Sequence, residues 1–154
     1  MSSTGTAAAA VVVRPLTHTD YPGWWPLWEG YLHFYQHPLS EQVTLLTFER
    51  LCIGERLAGL VAEAPDGTLL GLAHLVFHPS SWSEHGYCYL EDLYVSEAAR
   101  GQGIARRLFE AVYQLADEKQ CDRVYWATHE TNTRARALYD QLGERTAFLT
   151  YRRW

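Results

Sequence analysis

Apolar and polar positions follow two periods along the chain. Val11-Val12-Val13-Arg14 reads as a short strand ended by Pro15. From Tyr21 to Tyr35 the large residues fall at Tyr21, Trp24/Trp25, Trp28, Tyr31/Leu32 and Tyr35, which is helical spacing. Thr17, Thr19 or Asp20 offers this helix an N-cap, Pro22 fits its first turn, and Pro26 is expected to kink or delay it. A second helix is predicted over Ser40 to Cys52, with Ser40 at its start and Gly54 as its stop. The apolar runs Leu57 to Ala64 and Leu69 to Phe77 are joined by Pro65-Asp66-Gly67 and read as a hairpin. A polar turn, Trp82-Ser83-Glu84-His85, precedes a third long strand, Tyr87 to Val95. Gly103 to Glu118 is helical, with Ile104, Leu108, Ala111/Val112 and Leu115 on one face. A short strand, Arg123 to Ala127, a helix, Asn132 to Leu142 ended by Gly143, and a final strand, Ala147 to Tyr151, complete the order. Strand, two helices, three strands, helix, strand, helix, strand is an α/β arrangement with a mixed sheet.

Composition narrows the class. A chain of 154 residues, 47% hydrophobic and 20% charged, is expected to form one globular domain. A collagen-like repeat, a coiled coil and a fully disordered chain are excluded. Met1 to Ala10 carry no charge and no large side chain except Met1, so residues 1–10 are expected to be a disordered tail and 11–154 a single domain. The net charge of −5 argues against nucleic acid as the main partner and is compatible with a cationic substrate. Cys52, Cys88 and Cys121 are odd in number and far apart, which suggests a reducing compartment. Cys88 and Cys121 lie in apolar stretches read as strands, where they act as small hydrophobes. The longest apolar stretches are far below membrane-spanning length, and Ala7 to Val13 lacks the basic flank of a signal peptide. A cytoplasmic location is expected, with no membrane partner. His33/His37 and His74/His78 have a four-residue spacing that can suit a metal, but no carboxylate or cysteine completes either set. No metal is expected.

The segment richest in chemistry is Tyr89-Leu90-Glu91-Asp92-Leu93-Tyr94-Val95 followed by Arg100-Gly101-Gln102-Gly103-Ile104-Ala105-Arg106. A strand enters a glycine-containing loop that opens a helix. Such a junction presents unpaired N–H groups and the positive end of a helix dipole, a natural seat for phosphate. No Gly-Lys-Ser/Thr is present, so it is not a P-loop, and the three-glycine dinucleotide spacing is absent.

Arg-x-x-Gly-x-Ala over Arg100 to Ala105, set between that strand and helix, resembles the pyrophosphate loop of the GNAT superfamily of N-acetyltransferases. A second element, Asn132-Thr133-Arg134-Ala135-Arg136-Ala137-Leu138-Tyr139 with Leu142-Gly143, is similar to that family's Asn-x-x-Ala-x-x-x-Tyr helix. The strand Tyr89 to Val95 resembles that of spermidine/spermine and thialysine acetyltransferases, and the aromatic first helix and the chain's end resemble the Hpa2-type branch.

The resemblance implies the GNAT (acyl-CoA N-acyltransferase) fold, with about six to seven strands flanked by about four helices. It implies acetyl-CoA as co-substrate and direct attack by an amine in a ternary complex. Arg100, Gly101, Gln102, Gly103, Ile104, Ala105 and Arg106 would cradle the pyrophosphate, with Asn132 also on the cofactor side. Backbone groups of Leu93, Tyr94 and Val95 would line the pantetheine arm. Tyr139 matches the family's general acid, and Glu91 is a candidate base acting through water. By strand alternation Glu91 and Asp92 fall on opposite faces unless a bulge intervenes. Asp92 is expected to be structural or substrate-binding. Trp24, Trp28, Tyr31 and Tyr35 are either core or, for Trp28 and Tyr35 first, faces that hold an alkylammonium. The acceptor is expected to be a polyamine, an amino acid or lysine analogue, or a basic peptide. A non-catalytic acyl-CoA-binding regulatory module is the alternative. The related branch pairs through its C-terminal strands, so a homodimer contacting through Tyr151-Arg152-Arg153-Trp154 is expected.

Overall fold

A computed structural model describes residues 10–154. The expected disordered tail therefore lies almost wholly outside the described residues. The elements are β1 (Val12–Pro15), α1 (Tyr21–Phe34), α2 (Glu41–Ile53), β2 (Leu57–Glu63), β3 (Leu69–Ser80), β4 (Ser83–Val95), α3 (Ile104–Glu118), β5 (Arg123–Tyr125) and α4 (Thr133–Leu142). Single 3-10 turns precede α1 and α3. The sheet has five strands in the order β1-β2-β3-β4-β5. The first three pairings are antiparallel, and β4–β5 is parallel. The α/β class and the mixed sheet are as the sequence predicts.

Side-chain alternation divides the core into two layers. Leu60, Ala62, Ala73, Leu75, Cys88 and Leu90 face α3, where they meet Ile104, Leu108, Phe109 and Val112. Val61 and Leu72 face the opposite way, toward Trp24, Leu27, Trp28, Phe48 and Leu51 of α1 and α2. Fully burying a side chain such as Phe109 or Leu72 contributes about 1.5–3 kcal/mol. Start and stop signals act as the sequence suggests for α2: Ser40 Oγ accepts from the Val43 N–H at 3.1 Å, and Gly54 ends the helix at φ +75°. Pro15 is paired with Leu60 on the edge strand, where its missing N–H costs no ladder bond.

Four expectations need correction. Helix α1 is neither delayed nor ended by Pro26; it runs from Tyr21 through to Phe34, its length held by the burial of Trp24, Leu27 and Trp28. The turn before β4 is shorter than expected, because Ser83 already pairs with Ser80. Cys121 precedes β5 rather than lying in it. Ala147 to Tyr151 forms no strand, so the sheet has five strands rather than six to seven. This segment finds no partner strand among the described residues, and Phe148, Leu149, Tyr151 and Trp154 are exposed.

Candidate active site

The β3–β4 register decides the site. His74 lies opposite Asp92, but Leu75 lies opposite Leu90, so Glu91 has no partner across the ladder. This is a β-bulge, one extra residue on β4. Leu90 points into the core with α3, and the pleat then resets. Glu91 and Asp92 therefore both line a cavity of about 360 Å³ on the α1 side of the sheet, despite being neighbours in sequence. Trp28, Tyr31, Tyr35 and His74 line the same cavity.

The aromatic helix supplies both core and cavity wall. Trp24 is fully buried core. Trp28 stacks on Trp24 at 5.8 Å and on Tyr31 at 5.4 Å, and its outer neighbours Tyr31 and Tyr35 lie 4.9 Å apart. A ladder of rings thus runs from the core to the cavity rim. Gly30 lets Tyr94 of β4 pack against this helix, since a Cβ there would sit 2.5 Å from the Tyr94 hydroxyl.

Partial desolvation pushes the Glu91 carboxyl above its ordinary range, and the neighbouring Asp92 charge adds to this, although the residue as a whole is exposed. Burial, followed by the Asp92 charge, also raises Tyr31 and Tyr35, so both hydroxyls stay protonated. His74 is 3% exposed and uses both ring nitrogens: Trp24 Nε1 lies 3.1 Å from Nε2, and Asp92 Oδ2 lies 3.0 Å from Nδ1.

The other half of the site is an opening in the sheet. β5 pairs with β4 only at Tyr87, Cys88 and Tyr89. From Leu90 to Val95 the β5-facing edge of β4 has no strand partner among the described residues, and this stretch contains Leu93, Tyr94 and Val95. The Val95 carbonyl already accepts from Arg100 Nε at 3.2 Å. The Arg100 guanidinium sits 5.6 Å from the Tyr94 ring centre.

Beyond this edge, Gly101 and Gly103 adopt φ +79° and φ +78°, and α3 begins without a side-chain cap. No protein acceptor among the described residues meets the N–H groups of Gly101, Gln102, Gly103, Ile104, Ala105 or Arg106. Six free donors at a helix N-terminus fit a pyrophosphate. The Arg106 guanidinium is engaged with Gln141 of α4.

Tyr139 lies on α4, half-buried, edge-on to Phe109 at 5.6 Å and to Trp126 at 5.7 Å. Burial first, then nearby Tyr35, pushes its phenol up to about 12. Asn132 serves as the N-cap of α4: its Oδ1 accepts from the Ala135 N–H, and its amide reaches Thr128. His129, on the loop before α4, stacks on Tyr35 at 6.1 Å.

A cavity with two carboxylates, a split between parallel strands and an open helix N-terminus lie along one strand, β4. The model of the acetyltransferase (GNAT) family matches residues 21–143. The chain belongs to that family. It is an N-acetyltransferase. A D-amino-acid N-acetyltransferase of Saccharomyces cerevisiae is 35% identical over 145 residues, covering 93% of this chain and 90% of that protein. A thialysine N-epsilon-acetyltransferase of Bos taurus is 32% identical over 92 residues, covering 60% of this chain and 54% of that protein. An aminoglycoside N-acetyltransferase solved in complex with CoA matches with a TM-score of 0.79 at 24% identity, covering 94% of each chain. At that identity the likeness shows the fold.

Sequence reasoning missed the pairing of His74 with Trp24 and Asp92. The signal was present: a histidine inside the apolar run Leu72 to Val76 needs a partner for each ring nitrogen.

Proposed function

We propose that this GNAT enzyme transfers the acetyl group of acetyl-CoA to a primary amine that is cationic in solution: a polyamine, an amino acid or lysine analogue, or a basic peptide. The bulge carries this reading, because it brings Glu91 and Asp92 together on a cavity walled by Trp28, Tyr31 and Tyr35. Aromatic faces and carboxylates are what an alkylammonium seeks. Asp92, Trp28 and Tyr35 bind the ammonium. An alkylammonium with a lysine-like pKa of about 10.4 is almost wholly protonated at neutral pH and must lose a proton before attack. Glu91, its carboxyl raised by partial desolvation, takes that proton through water.

The N–H groups of Gly101, Gln102, Gly103, Ile104, Ala105 and Arg106 hold the pyrophosphate, and Arg100 adds charge. The open edge at Leu93, Tyr94 and Val95 receives the pantetheine arm, where a backbone N–H polarises the thioester oxygen. The amine attacks the carbonyl, the C–S bond breaks, the Tyr139 hydroxyl gives the departing thiolate a proton, and the phenolate regains one from the acylated nitrogen. With its phenol pushed up to about 12, Tyr139 holds that proton through the neutral range. Asn132 serves the cofactor side by fixing the start of the helix that carries Tyr139.

The exposed Phe148, Leu149, Tyr151 and Trp154 support a homodimer joined through this segment. The free thiols of Cys52, Cys88 and Cys121 support a reducing, cytoplasmic setting. The test is release of free CoA from acetyl-CoA with spermidine, lysine, thialysine, D- and L-amino acids and histone-tail peptides. Release above hydrolysis with a cationic amine is expected. Protein that binds acetyl-CoA yet acetylates none of them would overturn the reading.

A further inference from the structure

Asp92 can hold a cation only if its own charge is not already cancelled. A histidine at 3.0 Å is the obvious threat, and Trp24 removes it. An indole N–H donates and never accepts. With Trp24 Nε1 3.1 Å from His74 Nε2, that ring nitrogen must be the acceptor. The ring's single proton then sits on Nδ1 and is donated to Asp92 Oδ2. Protonating Nε2 would set two N–H donors against each other inside the core. The ring is also clamped: its centre lies 5.9 Å from that of Trp24 and 5.0 Å from that of Trp28. His74 is 3% exposed, so no water stands in for either partner at the surface.

We propose that Trp24 and His74 are positioning residues for the acceptor amine: the indole fixes the imidazole as its Nδ1–H form, and that N–H holds the Asp92 carboxylate against the cavity. The chain runs from the core of α1 through β3 to the bulge on β4. It makes the bulge functional, since Asp92, the residue held, is the one directly opposite His74 in the register. The specificity follows. A primary ammonium meets a carboxylate held in one orientation, with Glu91 beside it free to work through water. The proposal rests on the amine-acceptor reading above.

The test has two parts. Histidine ¹⁵N resonances at pH 7.5, assigned by loss of the signal in His74→Gln, report the proton's position without any turnover. A protonated Nδ1 and a bare Nε2 are expected; an Nε2–H form would overturn the proposal even if every acceptor assay failed. Kinetics then separate positioning from folding. His74→Phe removes the donor to Asp92 and should raise the amine KM about tenfold, with the acetyl-CoA KM unchanged. His74→Gln can donate to Asp92 and accept from Trp24, and should restore the amine KM to within about twofold of wild type. An amine KM equal to wild type in His74→Phe, or no rescue by the glutamine in folded protein, would sink the positioning role. If the wild type acetylates no amine while the ¹⁵N pattern holds, it is the acceptor reading that has failed.

Discussion

The proposed mechanism gives Tyr139 and Glu91 opposite tasks, and desolvation suits both. It raises the Tyr139 phenol to about 12, so the acid keeps its proton. It raises the Glu91 carboxyl above its ordinary value of 4.5, which makes it a stronger base once ionised. Tyr139→Phe should lower kcat about 100-fold or more while acetyl-CoA affinity, measured by calorimetry, stays within about twofold. Unchanged kcat would remove Tyr139 from the mechanism. For Glu91 the sign is set by the base's need to be ionised. Its raised pKa places the acid limb of the kcat–pH profile above the ordinary carboxylate range, with activity falling as pH drops through it. Glu91→Gln should abolish that limb and leave kcat about 10- to 100-fold lower at pH 8. A limb that survives the substitution belongs to another group.

At the scale of elements, the glycines of the proposed phosphate loop and the start of the chain make separable predictions. Gly103 sits at φ +78°, so Gly103→Ala should cost about 1 kcal/mol of stability and raise the acetyl-CoA KM without moving the amine KM. Steady-state kinetics with a urea titration check both, and a shift confined to the amine KM would place the loop elsewhere in the site. Arg14 on β1 grips Asp20 at 2.8 Å with both guanidinium NH2 groups and reaches Glu63 of β2 at 3.0 Å. Asp20 is 9% exposed, and the Arg14 hydrogen bonds hold its carboxyl at about 2 instead of 3.8. A folded pKa below the unfolded one stabilises above pH 3.8 and is lost as pH falls toward about 2, a contribution of about 2 kcal/mol. Arg14→Ala should flatten that slope in urea titrations between pH 6 and 3 and cost about 3 kcal/mol at neutral pH, because a buried carboxylate loses its partner. An unchanged slope would show that the clasp does not act on stability.

The element signals were legible because each is local. Helical spacing from Tyr21, the Ser40 cap, the Pro65-Asp66-Gly67 turn and the Arg100-to-Ala105 loop all read from a few neighbouring residues. The bulge did not, because register is settled between strands: only the pairing of His74 with Asp92 and Leu75 with Leu90 shows that Glu91 is the extra residue. Alternation alone places the two carboxylates on opposite faces.

Over the whole molecule, the sheet is a frame for one strand. β3 holds one edge of β4 along its length, β5 releases the other edge after Tyr89, and α1 closes the face that carries the carboxylates. In the proposed mechanism the cofactor side and the acceptor side meet on that strand, so the amine need travel no further than the open edge to reach the thioester. The chain's end shows the converse: Ala147 to Tyr151 has strand-like residues, but a strand is settled by pairing rather than by composition, and this segment pairs with no strand among the described residues. The central claim is that both substrates sit together on β4 and react directly. Initial velocities over a grid of acetyl-CoA and primary-amine concentrations, with the product weighed by mass spectrometry, test it most directly. Intersecting lines, with one acetamide formed per CoA released, are the expected result. Parallel lines, or CoA released without an acetamide, would contradict it.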